Sequence, residues 1–323
     1  MPERDVTNRP ELTIFGTPKP FRGIFDRIQR NAAWSWAQLQ PRAEVVLIGD
    51  DEGTADVSRA LGVRHVPNVA RSPKNVPLLD DLWAIGQGEA NADTCLFVNA
   101  DIILTDDVLA ALATLRATVD GPHLAIGQRW DLALDDDLST AVDGAGVASS
   151  SWAGDLRARA HRDGRLNSPL WVDWFAFPRG QYADLPSFVV GRPGYDHWLV
   201  WHTLSRGIPV IDATDAVTAV HQHHDYSHGG DHKTVWFGDD ALHNRSLIGD
   251  RSHMRHIGHA DLQLHADLTL EPARGTKYAL SRAHSRLGPV LERTADIRHR
   301  YGLDAERLKA IGSRVRRPKA STR

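Results

Sequence analysis

Short apolar runs alternate with amphipathic stretches through the first hundred residues, and this alternation limits what the chain can fold into more than any single motif does. The runs are Leu12 to Phe15, Glu44 to Gly49, Val63 to Val69 and Cys95 to Val98. Between the first two, Phe21, Ile24, Phe25, Ile28, Ala32, Trp36 and Leu39 recur at helical spacing, which predicts a helix from about Arg22 to Leu39. A second helix runs to Leu61 and stops at Gly62, and a third begins at Pro77 with Leu78, Leu79, Leu82, Trp83 and Ile85 on one face. Strand and helix in strict alternation with short links predict an α/β fold, a mostly parallel central sheet with right-handed crossovers and helices on both faces. Ligands of such sheets bind outside the carboxyl ends of the strands.

The fourth run ends on a carboxylate. After Cys95-Leu-Phe-Val98 come Asn99-Ala100-Asp101, then Ile102 to Leu104 resume the apolar run, and Thr105 with Asp106 and Asp107 opens a helix carrying Val108, Leu112, Leu115 and Val119. Asp101 is thus expected at the carboxyl edge, where it could hold a divalent cation, although capping a turn is the ordinary job of such a residue. Lys19, Asp50 and Asp51 fall on the same edge.

Downstream, Leu124 to Gly127 reads as a fifth strand followed by Gln128-Arg129-Trp130-Asp131, and Asp135 to Asp137 and Ala145 to Ser151 read as mobile loops near the site. A charged helix is expected from Arg157 to Arg165. Trp171 to Phe177 is a strand with one acid, Asp173, in an aromatic run, and such an acid must be paired or functional. Tyr195 to Ser205 reads as a helix with Asp196 in its first turn; Gly207 to Ile211 and Val217 to Val220 are strands, the latter leading into His221-Gln-His-His224-Asp-Tyr-Ser-His228. Beyond about Pro272 the pattern is helical and ends in a basic tail, Arg314 to Arg323.

Composition excludes several classes. A formal net charge of -3 gives no general case for nucleic acid as a partner. The single cysteine, Cys95, rules out a disulfide within the chain and suits a reducing compartment. The first ten residues are polar with no signal-peptide core, and no apolar run approaches the roughly 20 residues of a membrane span. The expected location is cytoplasmic, with peripheral membrane contact if the basic tail rests on anionic lipid; a solvated end is the alternative. The sequence leaves the oligomeric state open.

Asn99-Ala100-Asp101 after an apolar strand resembles the Asp-x-Asp motif of nucleotide-sugar-dependent glycosyltransferases of the GT-A fold, a Rossmann-like architecture, and Ile48-Gly-Asp-Asp-Glu-Gly-Thr-Ala-Asp56 is similar to the acidic turn after their second strand. The resemblance runs in order from Leu12 to His228. It implies a GT-A domain over residues 1–271, with a nucleotide-binding part at about 11–130 and an acceptor part at about 131–235, and a helical appendage over 272–323. It implies that Asp101 binds Mn²⁺ or Mg²⁺ on the diphosphate of a nucleotide-diphospho-sugar donor, with His221 as a second ligand and His224 as an alternative. Asn99 would face the ribose or a metal-bound water. Asp50, with Asp51 beside it, would face the nucleoside, and the turn from Gly16 through Thr17 to Lys19 would close over it. Asp196 would be the base that deprotonates the acceptor, a carbohydrate or another hydroxyl compound. Asn99 stands where the family often has Asp, and Tyr195 where a Glu is usual.

Other readings remain open at this stage. A sugar-phosphate nucleotidyltransferase shares the sheet and the metal, but Gly16-Thr-Pro-Lys-Pro lacks a glycine-rich phosphate loop. A metal-stabilised carbohydrate-binding protein would use the ten tryptophans. The spacing His221-x-x-His224-x-x-x-His228 suits zinc. Trp198 and Trp201 are expected in the core, whereas Trp130, Asp131, Asp173 and Trp174 are expected to touch the sugar or the acceptor.

Overall fold

Leu12 and Ile14 point to one side of the first strand and Phe15 to the other, so the sheet they begin needs a core on each face. The structure, a computed structural model, describes residues 9–140, 151–223 and 232–285. In chain order the elements are β1 (Leu12–Gly16), α1 (Ile24–Ala37), β2 (Ala43–Ile48), α2 (Thr54–Leu61), β3 (Arg64–Val66), α3 (Leu79–Glu89), β4 (Thr94–Val98), β5 (Ile102–Leu104), α4 (Asp107–Thr118), β6 (Leu124–Ile126) and β7 (Arg129–Leu132). There follow α5 (Trp152–Asp163), β8 (Arg165–Leu166), β9 (Trp174–Pro178), α6 (Tyr195–Ser205), β10 (Val210–Asp212), β11 (Ala219–Gln222), α7 (His232–Phe237), α8 (Asp239–Ile248), β12 (Leu262–Leu264) and β13 (Leu270–Pro272). The chain divides into two compact units, Met1–Arg274 and Gly275–Arg323. All of these elements lie in the first. In the second, residues 276–285 are helical, and the basic tail falls outside the described residues.

Nine strands form the main sheet in the order β13-β12-β10-β6-β9-β4-β1-β2-β3. β1 is parallel to both β2 and β4, β2 to β3, and β10 to both β6 and β12. Only β9, between β4 and β6, and the edge strand β13 run against the rest. The fold is therefore α/β with a mostly parallel sheet. Strand order reverses direction after β3, so right-handed crossovers must put α3 on the face opposite α1 and α2. The cores agree. Leu12, Ile14, Leu96 and Val98 pack with Ala32, Trp36 and Val57 from α1 and α2. On the other face Phe15, Phe97, Phe175 and Phe177 surround Trp83 of α3, whose indole stacks on Phe177 at a centroid distance of 4.6 Å.

A second sheet, β5-β11-β7-β8, was not foreseen from the sequence. Ile102 to Leu104 do not prolong β4; after Asn99-Ala100-Asp101 they leave the main sheet and pair antiparallel with β11. Arg129 to Leu132, which follow the expected fifth strand, form a strand of their own, β7, parallel to β11. The expected helix from Arg157 starts earlier, at Trp152, and the strand expected from Trp171 starts at Trp174. The turn at Asp135 to Asp137, expected to be mobile, is held to α1: Asn31 Nδ2 donates to the Asp136 carbonyl at 2.9 Å, and the Leu138 N–H donates to Asn31 Oδ1 at 2.8 Å.

Truncating Trp83 in the aromatic core, Trp83→Ala, is expected to lower stability by about 3–5 kcal/mol in urea unfolding, whereas Phe237→Ala, on a ring 61% exposed, should stay within about 0.5 kcal/mol. Burial pushes the Cys95 thiol up to about 12. Native protein at pH 8 should therefore leave a thiol reagent unreacted until it unfolds.

Candidate active site

β11 assembles the site by its register. His221 lies opposite Asp131 on β7 and opposite Ile102 on β5, the residue after Asp101. Directly paired residues share a face of a sheet, so the His221 imidazole meets the Asp131 carboxylate, with Nδ1 3.1 Å from Asp131 Oδ1. The other ring nitrogen, Nε2, lies 3.8 Å from Asp101 Oδ2. The neighbouring Gln222, fully buried, has its Nε2 donating to the Ile28 carbonyl at 2.7 Å and, more weakly, to the Asp101 carbonyl at 3.4 Å, while its Oε1 accepts from Asn31 at 2.9 Å. α1 thus holds β11 in register.

The geometry suits a divalent cation. An ionised carboxylate only accepts, so in a neutral imidazole a proton on Nδ1 would face Asp131 and leave the Nε2 lone pair toward Asp101. Two electron-pair donors 3.8 Å apart can share an ion with bonds of about 2.1 Å to each. A carboxylate on the second nitrogen is the usual support of a metal-binding histidine. Among the described residues no three or more His, Cys, Asp or Glu side chains converge into a complete metal site. Asp101 and His221 supply two donors, which fits an ion whose remaining positions are filled by phosphate and water. His224 and His228 lie outside the described residues, as does any zinc site built from them.

A buried guanidinium braces the cluster. Arg129 on β7 is 5% exposed. Its Nε donates to Asp131 Oδ1 at 3.1 Å and one terminal nitrogen donates to Asp173 Oδ2 at 2.8 Å, with the Trp171 ring 5.3 Å from the guanidinium carbon. Asp173 in turn accepts from Asn99 Nδ2 at 2.7 Å, and its carbonyl accepts from the Asn99 N–H at 2.9 Å. Asn167 Nδ2 donates to the other oxygen of Asp131 at 2.7 Å. Burial alone would raise the Asp131 carboxyl, but His221 and Arg129 outweigh it and hold it below the usual carboxylate range. Asp173 goes the other way: burial raises it, Arg129 offsets part of the effect, and the charge of Asp101 adds to it.

These contacts correct the expectations for Asp131, Asp173, Asn99 and Trp174. Asp131 and Asp173 do not face a sugar; both are committed to Arg129, and Asp131 also to His221. Asn99 turns its amide inward to Asp173 rather than toward a ribose. Trp174 is fully buried in the main core and has no face to offer. Trp130 is half-buried, packed on His161 at 4.7 Å and against the small core of Ile103, Leu132 and Val220. Arg129 was missed by sequence reasoning. The signal for it was Asp173 itself, since an acid inside an aromatic run needs a cation.

Asp196 approaches the cluster through Tyr195. Both lie in the first turn of α6, entered through Gly194 at φ 105°, a left-handed conformation that favours glycine, and a side chain there would strike Ile248. The buried Tyr195 phenol has its oxygen 3.5 Å from Asn99 Oδ1. Burial first, then the charges of Asp196, Asp173 and Asp101, hold its pKa well above the usual value, so one phenol senses all three carboxylates. Asp196 is partly exposed, with His197 Nε2 3.8 Å from its Oδ2.

On the same sheet edge, Asp50 borders a cleft of about 590 Å³ walled by Val66 to Arg71, Asp81 and Ile85. Arg71 donates at 2.8 Å to both Asp50 and Asp51. Asp50 remains 71% exposed while Asp51 is half-buried beneath it, so Asp50 is the one able to meet a ligand. The expected role of Lys19 finds no support: its ammonium sits 4.8 Å from the Phe25 ring centroid and its backbone is clasped by Gln29. Thr17 Oγ1 is buried with no hydrogen-bond partner among the described residues. β4 and β2 flank β1, which puts the Asp101 and Asp50 strand ends two strand spacings apart, about 10 Å. Gly16 at the end of β1 permits this crowding, since a Cβ there would lie 2.7 Å from the Val98 carbonyl oxygen.

No family model matches the sequence, and no curated protein does either. Among solved structures, the chain is similar to glucosyl-3-phosphoglycerate synthase from Mycobacterium tuberculosis in complex with Mg²⁺ and uridine-diphosphate, at 16% identity and a TM-score of 0.43 over 83% of this chain and 89% of that one. A structure described only as a mycobacterial protein gives 18% identity and a TM-score of 0.44 over 76% and 77% of the two chains. Staphylococcus aureus TarS in complex with UDP-GlcNAc gives 14% and 0.29 over 40% of this chain and 38% of that one. Likeness at these scores carries no weight for function, and the site stands on its own residues.

Gly194→Ala should cost about 1–3 kcal/mol in chemical unfolding, from the left-handed backbone and the Ile248 contact together. The same substitution at Gly62, also left-handed but with open space around it, should cost less.

Proposed function

We propose that the protein is a metal-dependent glycosyltransferase that moves a sugar from a nucleotide-diphospho-sugar to an acceptor hydroxyl. The observation that carries this reading is the Asp101 and His221 pair, two donor atoms 3.8 Å apart at a strand end with the second histidine nitrogen on Asp131. Asp101 and His221 would hold Mn²⁺ or Mg²⁺, and the ion when bound supplies positive charge to the departing diphosphate. The cleft at Asp50, about 10 Å along the sheet edge by strand spacing, would take the nucleoside, with Thr17 Oγ1 as a polar group left for the donor.

Asp196 would act on the acceptor. As the acceptor oxygen bonds to the anomeric carbon, the bond from that carbon to the diphosphate oxygen breaks and the hydroxyl proton passes to the Asp196 carboxylate. The exposure of Asp196 beside a buried cluster suits a base that meets an incoming substrate. Carbohydrate or another hydroxyl compound is the acceptor class. Among the described residues no helix is long and apolar enough to cross a membrane, and a cytoplasmic enzyme, reaching lipid-linked acceptors through its basic tail, is part of the proposal.

Calorimetric titration with UDP-, GDP- and dTDP-sugars, with and without Mn²⁺, tests this directly. At least one donor should bind only with Mn²⁺. Asp101→Ala should abolish that binding, while Asp196→Asn should keep it and lower turnover by about 10²- to 10⁴-fold. A panel with no metal-dependent binding, or Asp196→Asn turning over like wild type, contradicts the assignment.

A further inference from the structure

We infer that Arg129 is a positioning residue of this site, a buried group that holds the side chains standing behind both Asp101 and His221. The inference rests on the metal reading above and extends it to a residue that touches neither proposed ligand.

Backbone pairing brings the two donors together, because Asp101 lies between β4 of the main sheet and β5 of the second, and β5 pairs with the His221 strand β11. The aim of the two side chains depends on the groups packed behind them. Arg129 stands at the junction. Through Nε it holds Asp131, which abuts His221 on the second sheet, and through a terminal nitrogen it holds Asp173, which precedes β9 of the main sheet. Asp173 clasps Asn99 by backbone and side chain, two residues before Asp101. One rigid planar fork therefore spans both arms: guanidinium to Asp131 to His221, and guanidinium to Asp173 to Asn99.

Burial makes the arrangement obligatory. Arg129 and Asp173 are 5% and 7% exposed, and a charge so placed is tolerated only when paired. Trp171 covers the guanidinium at 5.3 Å. Lysine cannot replace it, because one ammonium on a flexible stem lacks the fixed fork that reaches two carboxylates at once.

The test measures Mn²⁺ binding to the full chain by electron paramagnetic resonance, with and without a nucleoside diphosphate, alongside the thermal midpoint. Arg129→Lys and Asp131→Asn should each weaken Mn²⁺ binding by about 10- to 100-fold, the usual cost of losing an outer support of a metal ligand. Asp173→Asn, which contacts neither donor, should weaken it as well. The Arg129→Lys/Asp131→Asn double variant should lose less than the product of the two single effects, since both act on one support. Should Arg129→Lys not fold, the two near-isosteric Asn variants carry the test. Folded variants with lowered midpoints and Mn²⁺ affinities within about twofold of wild type would show a structural brace only and overturn the inference. Wild type that fails to bind Mn²⁺ even with the nucleoside diphosphate present would instead remove the metal reading, and this inference with it.

Discussion

The register of β11 is the constraint on which the site depends. With side chains alternating at each residue, a slip by one position would send His221 to the opposite face and bring Gln222 in its place. Two features oppose the slip. Gln222 is bonded to Ile28 and Asn31 of α1, and a buried amide torn from such partners costs about 1–3 kcal/mol. Val220, on the other side of His221, is buried with Ile103 and Leu132. Ordinary packing and hydrogen bonding of two neighbours thus aim an imidazole at a carboxylate.

The polar cluster runs as a chain across the corner between the sheets: Asp101, His221, Asp131, Arg129, Asp173, Asn99, Tyr195. Its charges are largely withdrawn from water, so its members hold one another in place or destabilise the fold. The opposite shifts of Asp131 and Asp173 express this. Asp131 has His221, Arg129 and the Asn167 amide around it and is held below the usual carboxylate range, while Asp173 sits deeper, with the charge of Asp101 against it. The partly exposed Asp101 and Asp196 stand at the margin of this buried interior.

Much of the main sheet was legible in the sequence because its signals are local. Leu12 to Phe15, Cys95 to Val98 and the helix Tyr195 to Ser205 fall where periodicity put them, and Gly62 ends α2 in the left-handed conformation expected of it. The second sheet was not legible, because three-residue strands such as Ile102–Leu104 exist only by pairing with a segment more than a hundred residues away. The same limit explains the tryptophans: an aromatic residue at a strand end reads alike whether it lines a cleft or, as Trp174 does, fills the core. Asp101 and His221 could be picked out singly, yet their 3.8 Å separation and the brace behind them are tertiary facts. Arg129, one charged residue after the fifth strand by sequence, becomes the centre of the cluster only once β7 is paired.

The most direct test of the central claim is to locate the metal by anomalous scattering from crystals grown with Mn²⁺ and a nucleoside diphosphate. The account predicts a single strong peak about 2.1 Å from both Asp101 Oδ2 and His221 Nε2, with Asp131 still against Nδ1. A peak held by other side chains, or none at Asp101 while the nucleotide is bound, would contradict it.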